Sequence, residues 1–293
     1  MLRKTFTKPF FLLSFIIFSF SAEATTYYVS NSGNDNNSGT SASSPWQTIN
    51  KVNSFKKFSP GDNILFNRGN TFYGSIIITN SGSSGNPITY GAYGSGANPI
   101  ISGFTNVTSW TNMGGNIWQS TNAVSTLSTC NIVAINGVNT AMGRYPNTGY
   151  LTYQTYSGNT SITSSSLTGS PNWTGADVAI KLNRWTVDRA TITSQSGGTL
   201  NFTPLSGGSG SNNFGFFIEN DPRTLDVQNE WYFNPSLKKI SVYSIGQPTN
   251  VRVASVSHVV DLSASNISYI VIDHLATEGS NDGQIYSWNG NYV

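Results

Sequence analysis

Short apolar runs recur along this chain at a constant beat. Ile64, Ile76, Ile88 and Ile100 follow one another at twelve-residue steps, each in a run bounded by Gly, Asn, Pro or Ser: Asn63-Ile64-Leu65-Phe66, Ile76-Ile77-Ile78-Thr79, Pro87-Ile88-Thr89-Tyr90 and Pro99-Ile100-Ile101. β-Branched and aromatic residues between turn formers read as strands, and twelve residues make one strand plus one turn. Repeating that unit without helices predicts a chain that coils, each strand stacked on an earlier one, with the four isoleucines lined up on consecutive layers. Near the C-terminus, Asn266-Ile267-Ser268-Tyr269-Ile270 is echoed 23 residues later by Asn289-Gly290-Asn291-Tyr292-Val293. That is about the length of one coil of two or three strands with their turns. A solenoid stopping there would expose an apolar stack and unpaired backbone, so the sequence reads as the N-terminal part of a longer protein.

The pattern changes on both sides of the ladder. Thr26-Tyr27-Tyr28-Val29-Ser30 alternates as a first strand, and Trp46, Ile49, Val52 and Phe55, three apart, predict a short helix that caps the coils. From residue 104 to about 249 the twelve-residue beat is lost. Val107-Thr108-Ser109-Trp110 and Asn116-Ile117-Trp118-Gln119 read as a strand pair, and Ile132 to Val138 holds an Asn-Gly hairpin turn. Ala176 to Leu182 alternates, Thr199 to Phe202 is a further strand, and Glu230 to Phe233 joins Ile240 to Tyr243 through Asn234-Pro235-Ser236. Many short hairpins at irregular spacing predict a β-sandwich-like lobe inserted between residues 25–103 and 250–293.

Composition narrows the class. Charged residues are 10% and aromatics 13% of 293 residues, a balance that suits strands and tight turns. The net charge of +2 supplies no basic field for nucleic acid. Residues 1–24 read as a signal peptide: Arg3, Lys4 and Lys8 precede the apolar run Phe10 to Phe20, and Ala22 and Ala24 flank a cleavage point. The run is shorter than the ~20 residues a bilayer span needs, which disfavours a stable membrane anchor. Secretion, or a periplasmic or cell-surface location, is expected. Cys130 is the only cysteine, so no internal disulfide and no cysteine zinc site can form.

Tyr27-Tyr28-Val29-Ser30 with its Gly-Asn-Asp loop, Pro45-Trp46-Gln47-Thr48-Ile49, Pro60-Gly61-Asp62, Ser81 to Tyr90 and Pro99-Ile100-Ile101-Ser102-Gly103 resemble the opening of secreted right-handed parallel β-helix proteins of the pectate-lyase-like superfamily. The layout is similar to β-helix glycosidases of the β-xylosidase-like kind, in which a β-rich lobe interrupts the coils and walls the substrate cleft. The resemblance implies an all-β fold, a right-handed parallel β-helix interrupted by a β-sandwich-like insertion, with a short N-terminal capping helix. It implies a carbohydrate-active enzyme acting on a polysaccharide or oligosaccharide, glycoside hydrolase favoured over polysaccharide lyase, whose acid and nucleophile come from coils beyond Val293. The rival reading is a non-catalytic surface β-helix that binds glycans or scaffolds the envelope.

Candidate residues fall in three places. Arg144, Arg184 and Trp185 could offer guanidinium forks and a stacking platform to a sugar, or Arg184 and Arg189 could pair with acids at the lobe interface. In the acidic stretch 219–230, Glu219 and Asp221 share strand parity and could share a face as a carboxylate pair; Asp221 before Pro222 could equally form a turn with Arg223 as partner. In the last coil, Asp273, His274, Glu278 and Asp282 would decorate the outer wall, with His274 a conceivable acid or base, and His258 is assigned to packing or a hydrogen bond. The catalytic candidates are therefore Glu219, Asp221, Asp273 and His274; Arg144, Arg184, Trp185, Glu278 and Asp282 are the substrate-binding candidates. No cofactor or metal is expected. Asp35 among its amide neighbours lacks the carboxylate partners of a calcium loop and reads as a turn former.

Overall fold

Asn63 to Asn67 shows how local pattern becomes architecture: Ile64 and Phe66 point into the core while Asn63, Leu65 and Asn67 are half-buried, the alternation of a strand with one face covered. The computed structural model describes residues 23–293 apart from positions 170, 207, 209 and 212. The expected leader thus lies outside the described residues, except for Glu23 and Ala24. The fold is nearly all β, as expected.

Three sheets are wholly parallel. The first orders Thr26–Val29, Asn63–Asn67, Ile88–Tyr93 and Ile270–Ile272; the second Ala276–Glu278, Ile100–Ser102 and Thr71–Tyr73; the third Ser280–Ser287, Val256–Leu262 and Ile76–Ile77. From Asn63 the chain visits first, second and third sheets in turn, then the first and second again. After a long excursion from Phe104 to Ala254 it re-enters at the third and makes another circuit. Register gives the length of a circuit: Asn63 lies beside Thr89, Thr71 beside Ile100, and Ser268 beside Asn291. Ile64, Phe66, Phe72, Ile76, Ile88, Ile101, Val260 and Ile270 fill one shared core.

The isoleucine ladder is corrected by this arrangement. Its step is less than half a circuit, so successive rungs lie on different faces: Ile64 and Ile88 on the first sheet, Ile76 on the third and Ile100 on the second. Ile64 stands beside Tyr90, not Ile88, and Ile88 stands beside Ile270. Ile100 is only half-buried, and Ile101 takes the core position. The 23-residue echo is a true stacking interval, since the Tyr269 and Tyr292 rings lie 4.8 Å apart and 10° from parallel.

The helix Ile49–Ser54 begins at Thr48, whose hydroxyl accepts the Lys51 N–H. Ile49 and Val52 are buried, and Trp46 bridges to Val29 in the edge strand of the first sheet, covering backbone that would otherwise stay unpaired.

Between Phe104 and Ala254 every sheet is antiparallel. One joins Val138–Asn139, Val133–Ile135, Val251–Ala254 and Phe104–Val107; another joins Trp231–Asn234, Lys239–Tyr243, Ile117–Ser120 and Trp110–Gly114. Val133, Val251 and Val253 of the former pack against Trp231, Phe233 and Val242 of the latter. Asn136 and Gly137 both take positive φ, 53° and 81°, in the tight turn that sets Ile135 opposite Val138. The expected pairing of Val107–Trp110 with Asn116–Gln119 is split: Trp110 pairs with Ser120, but Val107 pairs with Val251 in the neighbouring sheet. The third antiparallel sheet has eight strands, with Arg144–Tyr145, Gly215–Glu219, Asp177–Ile180 and Asp188–Ser196 adjacent in that order. Val178, Ile180, Ala190, Ile192, Phe216 and Ile218 form its own core. The opposite face of those strands carries the polar residues.

Candidate substrate groove

Strand parity builds the groove. With Val178, Ile180, Phe216 and Ile218 turned into the core, Asp177, Ala179, Phe217 and Glu219 must turn away from it. Register then sets Arg144, Glu219, Asp177 and Thr191 side by side in one row across four strands. Directly opposed residues on one face have Cβ atoms about 4.5–5.5 Å apart.

The row is internally bonded. Glu219 is buried, and its Oε1 accepts a very short hydrogen bond from Arg189 Nε, whose side chain is largely exposed. Asp177 accepts from Thr191 Oγ1 at 3.0 Å and from Asn220 Nδ2 at 2.8 Å. Asn220 Oδ1 is buried and has no hydrogen-bond partner among the described residues. Arg144 donates from Nε to Pro146 O at 3.0 Å, and its guanidinium lies 3.8 Å from the centre of the Phe217 ring.

Residues from outside the eight-stranded sheet form the opposite wall. A cavity of about 290 Å³ is lined by Asp177, Arg189, Glu219, Asn220, Cys130 and Asn131, and it shares Asn131, Met142, Arg189 and Glu219 with a second cavity of about 510 Å³ that reaches Arg144, Phe217 and Trp231. Together they make one polar groove with aromatic edges. Asn131 donates from its backbone N–H and from Nδ2 to Asn281, both at 2.8 Å, which ties this wall to the Ser280–Ser287 strand. Burial pushes the Cys130 thiol up to about 12, so it is no nucleophile near neutral pH. Close by, Glu230 is buried, and that burial pushes its carboxyl above the ordinary range; the N–H groups of Asp226 and Val227 and the charge of Arg144 offset part of the rise.

Of the sequence candidates, the groove gathers Arg144 and Glu219. Asp221 is not with them. Asn220 takes a left-handed φ of 55° and ends the strand, so parity fails beyond Glu219, and Asp221 instead caps the turn Pro222–Thr224 and binds Arg223 through both oxygens, at 2.8 and 2.7 Å. Arg184 and Trp185 lie on an exposed loop held by Asn183, with Trp185 outside the lining of the groove, while Arg189 turns toward Glu219. Of the four outer-wall candidates only Asp273 and His274 are joined, at 2.6 Å; Glu278 accepts from Arg252 and Ser102, and Asp282 bonds His258 at 3.0 Å. His258 also stacks on Tyr286. Asp177, Asn131 and Glu230 are groove or near-groove residues that sequence reasoning missed; the alternation of Asp177-Val178-Ala179-Ile180 was the one signal for the first.

Among the described residues no cluster of three His, Cys, Asp or Glu suits a metal ion. Both oxygens of Asp35 are occupied by Gln47 and Thr48 donors, so it acts as a structural tie.

No protein-family model matches the chain. A stretch of 77 residues is 40% identical to a lacto-N-biosidase of Bifidobacterium longum subsp. longum, amounting to 25% of this chain and 5% of that protein. Among solved structures, a glycoside hydrolase superposes with a TM-score of 0.66 at 16% identity, over 88% of this chain and 51% of that one. The complex of XylC with xylose superposes with a TM-score of 0.51 at 18% identity, over 88% of this chain and 36% of that one. The fold is therefore one shared with glycoside hydrolases, and the chain spans about half or less of the length of the proteins it matches.

Proposed function

We propose that this chain is the N-terminal portion of a secreted glycoside hydrolase, that its three parallel sheets are coils of a right-handed parallel β-helix, and that residues 104–249 form an inserted lobe whose groove holds the glycan. The observation that carries the reading is the row Arg144, Glu219, Asp177 and Thr191, with Arg189 beside it, in a groove that Phe217 also lines. Sugar hydroxyls both donate and accept. Carboxylates and guanidinium groups fixed side by side meet that need. The shared fold, the xylose bound to XylC and the lacto-N-biosidase match support a carbohydrate ligand.

Within this reading the row binds and orients; it does not cleave. Cross-strand neighbours have about the separation that retaining enzymes use for acid and nucleophile. Here, however, Glu219 is committed to Arg189, and Asp177 to Thr191 and Asn220. The catalytic pair is assigned to residues beyond Val293. Those committed carboxylates also favour the second reading, a glycan-binding scaffold without catalysis.

The test is calorimetric titration of the chain with xylo-oligosaccharides and lacto-N-biose, alongside assays for reducing ends and for unsaturated products. Binding without turnover, abolished by Glu219→Gln, is expected, with reducing ends released once downstream coils are joined. Failure to bind any glycan would overturn the reading. Unsaturated products would replace hydrolysis by elimination, and glycan binding that never becomes turnover would leave the scaffold.

A further inference from the structure

Beyond Arg144, on the same face of the eight-stranded sheet, lies a third cavity of about 470 Å³, within the range of small-molecule sites. Its construction differs from that of the groove. Gly215 has no side chain, and Tyr150 uses the space: a Cβ at Gly215 would come 2.5 Å from that ring, so the tyrosine lies across the strand as an exposed platform. Phe214 and Phe217 supply two further aromatic faces, and each carries a cation. Lys181 Nζ stands 5.3 Å from the Phe214 ring centre, and the Arg144 guanidinium stands on Phe217.

Neither cation meets a carboxylate within the cavity. No Asp or Glu lines the cavity, and among the described residues neither Arg144 nor Lys181 enters an ion pair. Arg189, Arg223 and Arg252 each hold an acid. Two like charges on a concave aromatic surface whose lining holds no acid favour an anion there, although Arg144 also borders Glu219 on its other side.

We propose that this cavity binds a carboxylate-bearing pyranose of the glycan, a uronate or a sialate, with its ring on Tyr150 and its carboxylate between Arg144 and Lys181. The inference rests on the glycan-binding reading above and names the class of sugar. Arg144 Nε and Nη2 donate to Pro146 O and Gly149 O, which fixes the guanidinium and leaves its Nη1 side for a carboxylate, and the ammonium adds a second charge-assisted hydrogen bond.

The test is titration of the full chain with oligosaccharides ending in glucuronate or in sialate, each against its methyl ester, and with a neutral xylo-oligosaccharide. The esters keep the shape and remove the charge. At least one acid should bind roughly tenfold more tightly than its ester at low salt, an advantage that shrinks as salt rises. The acid that shows it identifies the source. Lys181→Met should abolish most of the advantage and leave affinity for the neutral glycan, and Tyr150→Ala should weaken acid and ester alike. Equal affinities for acid and ester, or an acid preference that survives Lys181→Met with the melting temperature unchanged, would overturn the inference. Neutral glycans that bind without any acid preference sink this inference alone, whereas no glycan binding at all sinks both readings.

Discussion

Asp177 and Glu219 stand directly opposite one another on adjacent antiparallel strands, and the exposed Arg189 side chain forms the ion pair with the buried Glu219 carboxylate. Removing one partner of such a pair leaves an unsatisfied charged group beside a second carboxylate. Arg189→Ala should therefore destabilise the protein by about 1–3 kcal/mol, the exposure of the arginine keeping the cost at that level. Adding Glu219→Gln should recover most of the loss, because the orphan is then neutral. Urea unfolding of the single and double variants checks this, and additive losses would contradict it.

Glu230 gives a pH signature. Its carboxyl is held above its ordinary 4.5 chiefly by burial, so the folded protein binds this proton more tightly than the unfolded chain does. The stability associated with the protonated form is complete below 4.5 and is lost as pH rises through the folded value. Glu230→Gln can still accept the Asp226 and Val227 N–H groups, so it should match or exceed the parent's stability at pH 7, with the gain vanishing toward pH 4. Glu230→Ala should lose about 1–3 kcal/mol by orphaning both donors. Thermal melts across that pH range separate the two.

Local features were legible in the sequence because they depend on neighbours along the chain. The Trp46, Ile49, Val52 and Phe55 spacing gave the helix, Asn136-Gly137 its hairpin, and the Tyr269 and Tyr292 echo the stacking interval. The groove depends on register between segments far apart. Whether Glu219 faces Asp221 or Asp177 turns on one left-handed residue, Asn220, and on which strand lies alongside. Likewise a constant twelve-residue step looked like a column of isoleucines, although it walks around three sheets.

The corrected ladder makes a prediction of its own. Ile101 is fully buried in the core of the parallel sheets, whereas Ile100 is half-exposed. Ile101→Ala should cost about 2–5 kcal/mol and Ile100→Ala roughly 1 kcal/mol or less, although the two positions are adjacent and chemically identical. Equal losses in chemical denaturation would mean that the register of Ile100–Ser102 against Thr71–Tyr73 is wrong.

Asp35 organises the covered edge of the first sheet through a relay. Its Oδ1 accepts the N–H groups of Gln47 and Thr48, its Oδ2 accepts the Thr48 hydroxyl at 2.6 Å, and that same hydroxyl oxygen caps the helix by accepting from Lys51. Burial alone would raise the carboxyl, but these hydrogen bonds and the charge of Lys51 outweigh it and hold the carboxyl below its ordinary 3.8. The resulting stability is therefore present above 3.8 and is lost as pH falls through the folded value. Asp35→Ala should cost about 1–2 kcal/mol at pH 7, discounted for partial exposure, and the difference from the parent should close at strongly acid pH. Because both Asp35 oxygens are engaged by donors of the protein and no second carboxylate among the described residues joins them, calcium or a chelator should leave the melting temperature of both proteins unchanged. A calcium-dependent rise in the parent that Asp35→Ala abolishes would show that this loop holds an ion in place of the relay.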